Sequence, residues 1–204
     1  MNAPRASMTL HHNSPPLMII TQVFSISFIL LIHSLLPALA LVASNNDDPS
    51  SLVNSVCEET TQCSYKDCVA ALALDPKALS TTNVKLLAKI ALNLAVSNST
   101  SSLRYIDTMA KKEKSSPRLK SALEFCISQY QYTVNSFKSA LSDLDVDPMT
   151  ANYDAKVASD GASYCADKLK SEGFQSKDVD SVKARNNHVL IYSDIGFTVT
   201  NKMR

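Results

Sequence analysis

Five cysteines, a run of aspartates and four histidines are the residues in this 204-residue chain whose types and spacing could do chemistry. Of the histidines only His188 lies beyond residue 43. A zinc centre built on several histidines therefore has no ligands in the remainder of the chain. A Ser-His-Asp triad could use only His188, which lies in helical sequence with no strand-turn-helix elbow to present a nucleophile. Asp143, Asp145 and Asp147 stand at positions 1, 3 and 5 of a calcium loop, with Asp154 at position 12. Position 6 of such a loop needs Gly and here holds Pro148, and helix-forming sequence fills what should be loop, so these aspartates read as turn and capping residues. Gly161 stands alone in a helical stretch and offers no phosphate-cradling loop. Lys111, Lys112 and Lys114 suit the C-terminus of a helix, where the macrodipole favours cations. No constellation is left for catalysis, metal or cofactor, and the expectation is a binding module rather than an enzyme.

The cysteines are Cys57, Cys63, Cys68, Cys126 and Cys165. In an oxidising compartment an odd count leaves two disulfides and one spare thiol, or a bridge between two chains. With the cysteines themselves, three features point to that compartment. Residues 17–43 are mostly apolar and nearly uncharged, behind a leader whose only charge is Arg5, as in a secretory signal. Its small-residue end predicts cleavage after Ala40, following Ala38-Leu39-Ala40, or after Ala43; Met8 and Met18 are alternative starts. An uncleaved anchor is the rival, since the run could span a bilayer, but Gln22, His33 and Pro37 interrupt it and no basic stop-transfer flank follows. The third feature is the Asn98-Ser99-Thr100 sequon, an N-glycosylation acceptor. The reading is a signal peptide over 1–43 and a secreted domain over 44–204, with no membrane association after cleavage.

The elements that must position these residues are helical, since three glycines and no tryptophan in the whole chain argue against a turn-rich β protein. Residues 116–173 organise the rest. Leu119, Leu123, Cys126, Tyr130, Val134, Phe137, Leu141 and Leu144 recur at steps of four and three, which is one helical face. Ala151, Ala155, Ala158, Ala162, Cys165 and Leu169 repeat those steps with small residues, so a neighbouring helix can approach closely. Between these arms Asp147 and Pro148 are N-cap and first residue of the second helix. Paired cysteines on antiparallel arms lie about equally far from the turn, and the midpoint of Cys126 and Cys165 falls between Asp145 and Val146, which predicts a Cys126–Cys165 disulfide.

In front of this hairpin, residues 52–75 carry two short apolar groups, Leu52, Val53 and Val56, then Val69, Ala70, Leu72 and Leu74, fitting two short helices folded back on each other. Such helices are marginal alone. A Cys57–Cys68 staple would help them by about 3 kcal/mol of loop-closure entropy, and the longer Cys126–Cys165 loop is worth about 4 on the same scale. Asp75-Pro76 breaks the second short helix. Thr81 or Thr82 then caps a long helix with Val84, Leu87, Ala91, Leu94, Leu103, Ile106 and Met109 in phase. Asn98 falls close to that stripe, so either the helix bends near residues 97–102 or the sequon is unused. Gly173 ends the third long helix and Ser176 starts a fourth, whose later half is apolar on more than one face. The expected architecture is all-α: an up-down-up-down four-helix bundle over residues 81–200, preceded by the stapled hairpin.

Without Arg5 the basic and acidic residues number 19 each, so nothing in the net charge seeks nucleic acid.

The chain resembles the plant invertase and pectin methylesterase inhibitor family. The likeness covers residues 53–200. It rests on an N-terminal cysteine pair with Tyr65-Lys66-Asp67-Cys68, on Asp75-Pro76, on Cys126 followed by Tyr130, and on Cys165 about forty residues on. Ala73-Leu74-Asp75-Pro76-Lys77 and the Ala-rich third helix look most like the pollen-allergen branch, whose members are named as invertase inhibitors by similarity. The resemblance implies a non-enzymatic apoplastic inhibitor whose protein partner is pectin methylesterase or acid invertase. It also implies disulfides Cys57–Cys68 and Cys126–Cys165, leaving Cys63 as a free thiol or the bridge of a dimer; spacing alone leaves Cys63–Cys68 open. In the invertase-directed branch a Pro-Lys-Phe motif at the start of the third bundle helix contacts the target. Here Pro148-Met149-Thr150 occupies that place as the candidate contact, so cation and aromatic anchor are both gone. Losing an anchor commonly costs about 2 kcal/mol or more, which shifts the expectation toward pectin methylesterase, with acid invertase as the alternative and a pollen or storage protein without enzyme target as the third reading.

Overall fold

The computed structural model describes residues 49–203, and the predicted signal segment and residues 44–48 lie outside the described residues. The described part is helical: α1 (Ser51–Glu59), α2 (Tyr65–Leu72), α3 (Pro76–Ser80), α4 (Val84–Lys112), α5 (Pro117–Asp143), α6 (Pro148–Ser171) and α7 (Lys177–Asn201). None of these helices is long and apolar enough to cross a membrane.

Helices α4 to α7 form an up-down-up-down bundle in which α4 packs on α5 and α7, and α6 packs on α5 and α7. Local sequence sets the ends of these helices. Ser116 Oγ, Asp147 Oδ1 and Ser176 Oγ accept backbone N–H groups in the first turns of α5, α6 and α7, satisfying donors the helices leave open. Gly173, at φ 70°, closes α6: its N–H donates to the Lys170 carbonyl and that of Phe174 to the Leu169 carbonyl, a two-bond termination that needs a left-handed residue. At the start of α4 the structure departs from the sequence reading. The cap is Asn83, whose Oδ1 accepts the Leu86 N–H at 3.0 Å, while Thr81 Oγ1 accepts the N–H of Asn83 itself. Asp75-Pro76 does end α2, but it also begins α3, with Asp75 as N-cap and Pro76 in the first turn. Leu74 falls in the connecting turn and is exposed rather than part of the hairpin's apolar group.

The core is made by unequal partners. On α5, Leu123, Cys126, Tyr130 and Phe137 are fully buried, as is Leu144 at its C-cap, and on α6 so are Ala151, Ala155, Ala158, Ala162, Cys165 and Leu169. Small residues let the two axes approach: Thr133 Oγ1 donates 2.8 Å across to the Ala158 carbonyl, and Cys126 and Cys165 are disulfide-bonded with Cα atoms 4.7 Å apart. The α1–α2 hairpin is closed by a Cys57–Cys68 disulfide, Cα atoms 5.5 Å apart, and packs on the outer side of α7. That placement explains why the later half of α7 is apolar all round: from Val189 to Thr200 nearly every side chain is buried between bundle and hairpin. Helix α4 runs unbroken through residues 97–102, with Ser99 and Ser102 turned fully inward.

Candidate functional site

The α5–α6 connection forms one tip of the bundle. Val146 is 85% exposed, Met149 64% exposed and Thr150 exposed beside a half-buried Pro148. The three aspartates that invited a calcium reading have separate partners. Asp143 Oδ2 accepts from Ser139 Oγ at 3.3 Å; Asp145 meets Lys85 Nζ at 2.6 Å and Lys89 Nζ at 2.8 Å; Asp147 caps α6 and accepts the Thr150 hydroxyl at 2.7 Å. The bonds from Lys85 and Lys89 hold the Asp145 carboxyl below its ordinary 3.8, and those from Thr150 do the same for Asp147. Asp145 thereby ties the tip to the first turns of α4.

From this tip an aromatic flank runs back along the α5–α6 pair. Phe125 and Tyr132 lie seven residues apart on α5, and Tyr153 and Tyr164 eleven apart on α6, spacings that return to one line on a helix. All are exposed, Tyr153 by 64% and Tyr164 by 55%. The Cys126–Cys165 bond and the Thr133–Ala158 contact fix the antiparallel register, which sets Tyr164 at a level between Phe125 and Tyr132 on the outer side of the α5–α6 seam. Exposed aromatics on paired rigid helices are of the kind that anchor protein interfaces. The sequence reading singled out Pro148, Met149 and Thr150 and missed these four rings, although their seven- and eleven-residue spacing was there to be read once the core stripes were assigned.

A model of the family described as plant invertase/pectin methylesterase inhibitor matches residues 51–195. The chain belongs to that family. Its members are inhibitors and not themselves enzymes, and so is this chain. Among curated relatives it is 30% identical over 121 residues to "Cell wall / vacuolar inhibitor of fructosidase 2" of Arabidopsis thaliana, a match spanning 59% of this chain and 65% of that relative. Among solved structures it is similar to a mutant form of a pectin methylesterase inhibitor from Arabidopsis, with TM-score 0.63 and 22% identity over 74% of this chain and 97% of that one. A pectin methylesterase inhibitor from Arabidopsis thaliana gives TM-score 0.56 and 24% identity over 76% and 97%. At those identities the structures establish the shared helical-bundle fold.

The remaining residues singled out in the sequence lie elsewhere in this inhibitor fold. Asn98 sits mid-helix on α4, half-buried, with its Oδ1 shielded and without a hydrogen-bond partner. Cys63 is unpaired and half-buried in the turn between α1 and α2. Burial pushes its thiol up from the usual 9.0, and the Asp194 carboxylate adds to that, against an opposing hydrogen bond from Thr60. Asp194, buried on α7, is a structural residue the sequence reading passed over: its Oδ2 accepts the N–H groups of Thr61, Gln62 and Cys63 at 2.8, 2.6 and 3.2 Å, satisfying a turn that has no ladder of its own. Its signal was a single carboxylate inside the apolar run from Val189 to Ile195.

Proposed function

We propose that this chain is a secreted apoplastic inhibitor of a pectin methylesterase, laying the α5–α6 tip and its aromatic flank across the mouth of the enzyme's active-site cleft. The observation that carries the reading is the uncharged Pro148-Met149-Thr150 at the α6 N-terminus, with Met149 and Thr150 exposed. The lysine and phenylalanine expected there of an invertase-directed inhibitor are absent, and Tyr153 near the tip, with Tyr132 and Tyr164 farther along the α5–α6 pair, supplies aromatic anchors of a different layout. A second reading, inhibition of an acid invertase, is favoured by the name of the 30% identical relative; the cell-wall part of that name also supports an extracellular site. Purified residues 44–204, disulfides intact, assayed against a plant pectin methylesterase and a plant acid invertase, separate the two. Inhibition of the esterase, weakened tenfold or more by Tyr153→Ala together with Met149→Ala, is the expected result. Nanomolar inhibition of the invertase with none of the esterase overturns it.

A further inference from the structure

At the end of the bundle away from that tip, α4 finishes while α5 and α7 begin, and the three leave a cavity of about 430 Å³. That lies within the roughly 300–1,000 Å³ of small-molecule sites. Its apolar wall is Tyr105, Met109 and Leu119, all partly buried against the core. The Tyr105 ring is fixed from one side by the Arg185 guanidinium, 4.2 Å from its centroid, so a ligand meets a ring already held in place. The polar rim has both kinds of charge. Lys112 contributes an ammonium, Glu113 and Asp178 contribute carboxylates, and Thr108 and Ser176 contribute hydroxyls. Neighbouring Lys111 is engaged with Asp107 at 2.6 Å, whereas Lys112 and Asp178 have no ion-pair partner among the described residues. Glu113 Oε1 accepts the Ser115 and Ser116 N–H groups, which leaves Oε2 open.

We infer that this cavity binds an acidic pyranose, a uronide unit of a plant polysaccharide. The chemistry of the rim selects the class. An unpaired ammonium seeks a carboxylate, two acceptor-only carboxylates seek hydroxyl donors, and a rigid aromatic and aliphatic wall suits the C–H face of a sugar ring. Phosphate and sulfate supply no hydroxyls to Glu113 and Asp178, whereas a uronide offers several beside its one carboxylate, which would sit at Lys112 and away from both acids. A neutral sugar leaves Lys112 unmatched. Because the cavity and the α5–α6 tip are at opposite ends, an inhibitor held on a polyuronate would still present its tip to an enzyme, whichever enzyme that is.

The test is titration of ¹⁵N-labelled residues 44–204 with trigalacturonate, with maltotriose and with a short DNA duplex at low salt. Saturable shifts at Tyr105, Lys112, Leu119 and Val179, weakened at least tenfold in Lys112→Glu and in Tyr105→Ala, with no response to maltotriose, are expected. Lys112 is exposed, so its variant leaves folding and enzyme inhibition intact and reports on this site alone. Absence of saturation by millimolar trigalacturonate, equal binding of maltotriose, or DNA shifting the same residues as strongly as trigalacturonate each overturns the inference.

Discussion

A methyl group added at Gly161 would lie 2.3 Å from the Gln129 carbonyl oxygen and 2.5 Å from Thr133 Oγ1. The first of these is backbone and cannot swing away, so α5 and α6 must separate along a seam of alanines packed to contact. Gly161→Ala is expected to destabilise the fold by about 3 kcal/mol, the upper range for overpacking, and thermal unfolding followed by circular dichroism checks it; an unchanged midpoint would contradict the close approach. Cys63 is the other residue whose surroundings fix its behaviour. With its thiolate disfavoured by burial and by Asp194, native protein should react with a thiol reagent far more slowly than denatured protein at pH 8, and the denatured count should be one. A reducible dimer on a non-reducing gel would show Cys63 reaching a second chain instead. Both residues were visible in the sequence, but what each touches was not.

At the scale of elements, the α5–α6 pair depends on its disulfide and on the anchoring of its tip. Replacing Cys126 and Cys165 together by Ser removes a crosslink across 39 residues of sequence, worth about 4 kcal/mol on the loop-closure scale, and the denaturant midpoint should fall accordingly. The tip adds a pH dependence. Asp145 has a folded-state value below its ordinary 3.8 because Lys85 and Lys89 bond to it. A lowered carboxylate contributes stability above the unfolded value and loses it as pH falls through the folded one. Being exposed, the contribution is small and screened by salt. The thermal midpoint should therefore be level from pH 7 to pH 5 as far as this group is concerned and decline below about pH 4; Asp145→Asn should flatten part of that decline. If the variant shows the same decline as the parent, the tip is not held through Asp145.

For the whole molecule, α7 is the piece that joins the two layers. Its inner side completes the bundle, and its outer side holds the α1–α2 hairpin through Asp194, through Tyr192, whose hydroxyl reaches the Ala71 carbonyl at 3.4 Å, and through Lys202, which bonds Glu59 and Ser55. A chain starting at Asn83 would strand the Asp194 carboxylate without its three donors and bare the apolar outer side of α7. Expected outcomes are a lower unfolding midpoint and dye binding typical of exposed apolar surface. A truncated chain as stable and as inert to dye as the parent would mean that the hairpin is only an appendage.

What the sequence determined by itself is what repeats locally: the three-and-four stripes of α5 and α6, the large-against-small pairing that lets those helices close, Asp147, Ser176 and Gly173 at helix ends, and hence an all-α bundle. Each of these acts within one or two turns, where spacing and side-chain type suffice. The start of α4 escaped because Thr81, Thr82 and Asn83 are all competent caps, and only the path of the preceding α3 decides which side chain faces the open N–H groups. The burial of Ser99, Ser102 and Asp194, the exposure of Leu74, and the alignment of Phe125, Tyr132, Tyr153 and Tyr164 on one outer seam were decided by tertiary structure. Those properties depend on which neighbour covers a given face, and a face is covered or left bare by residues far away in the chain.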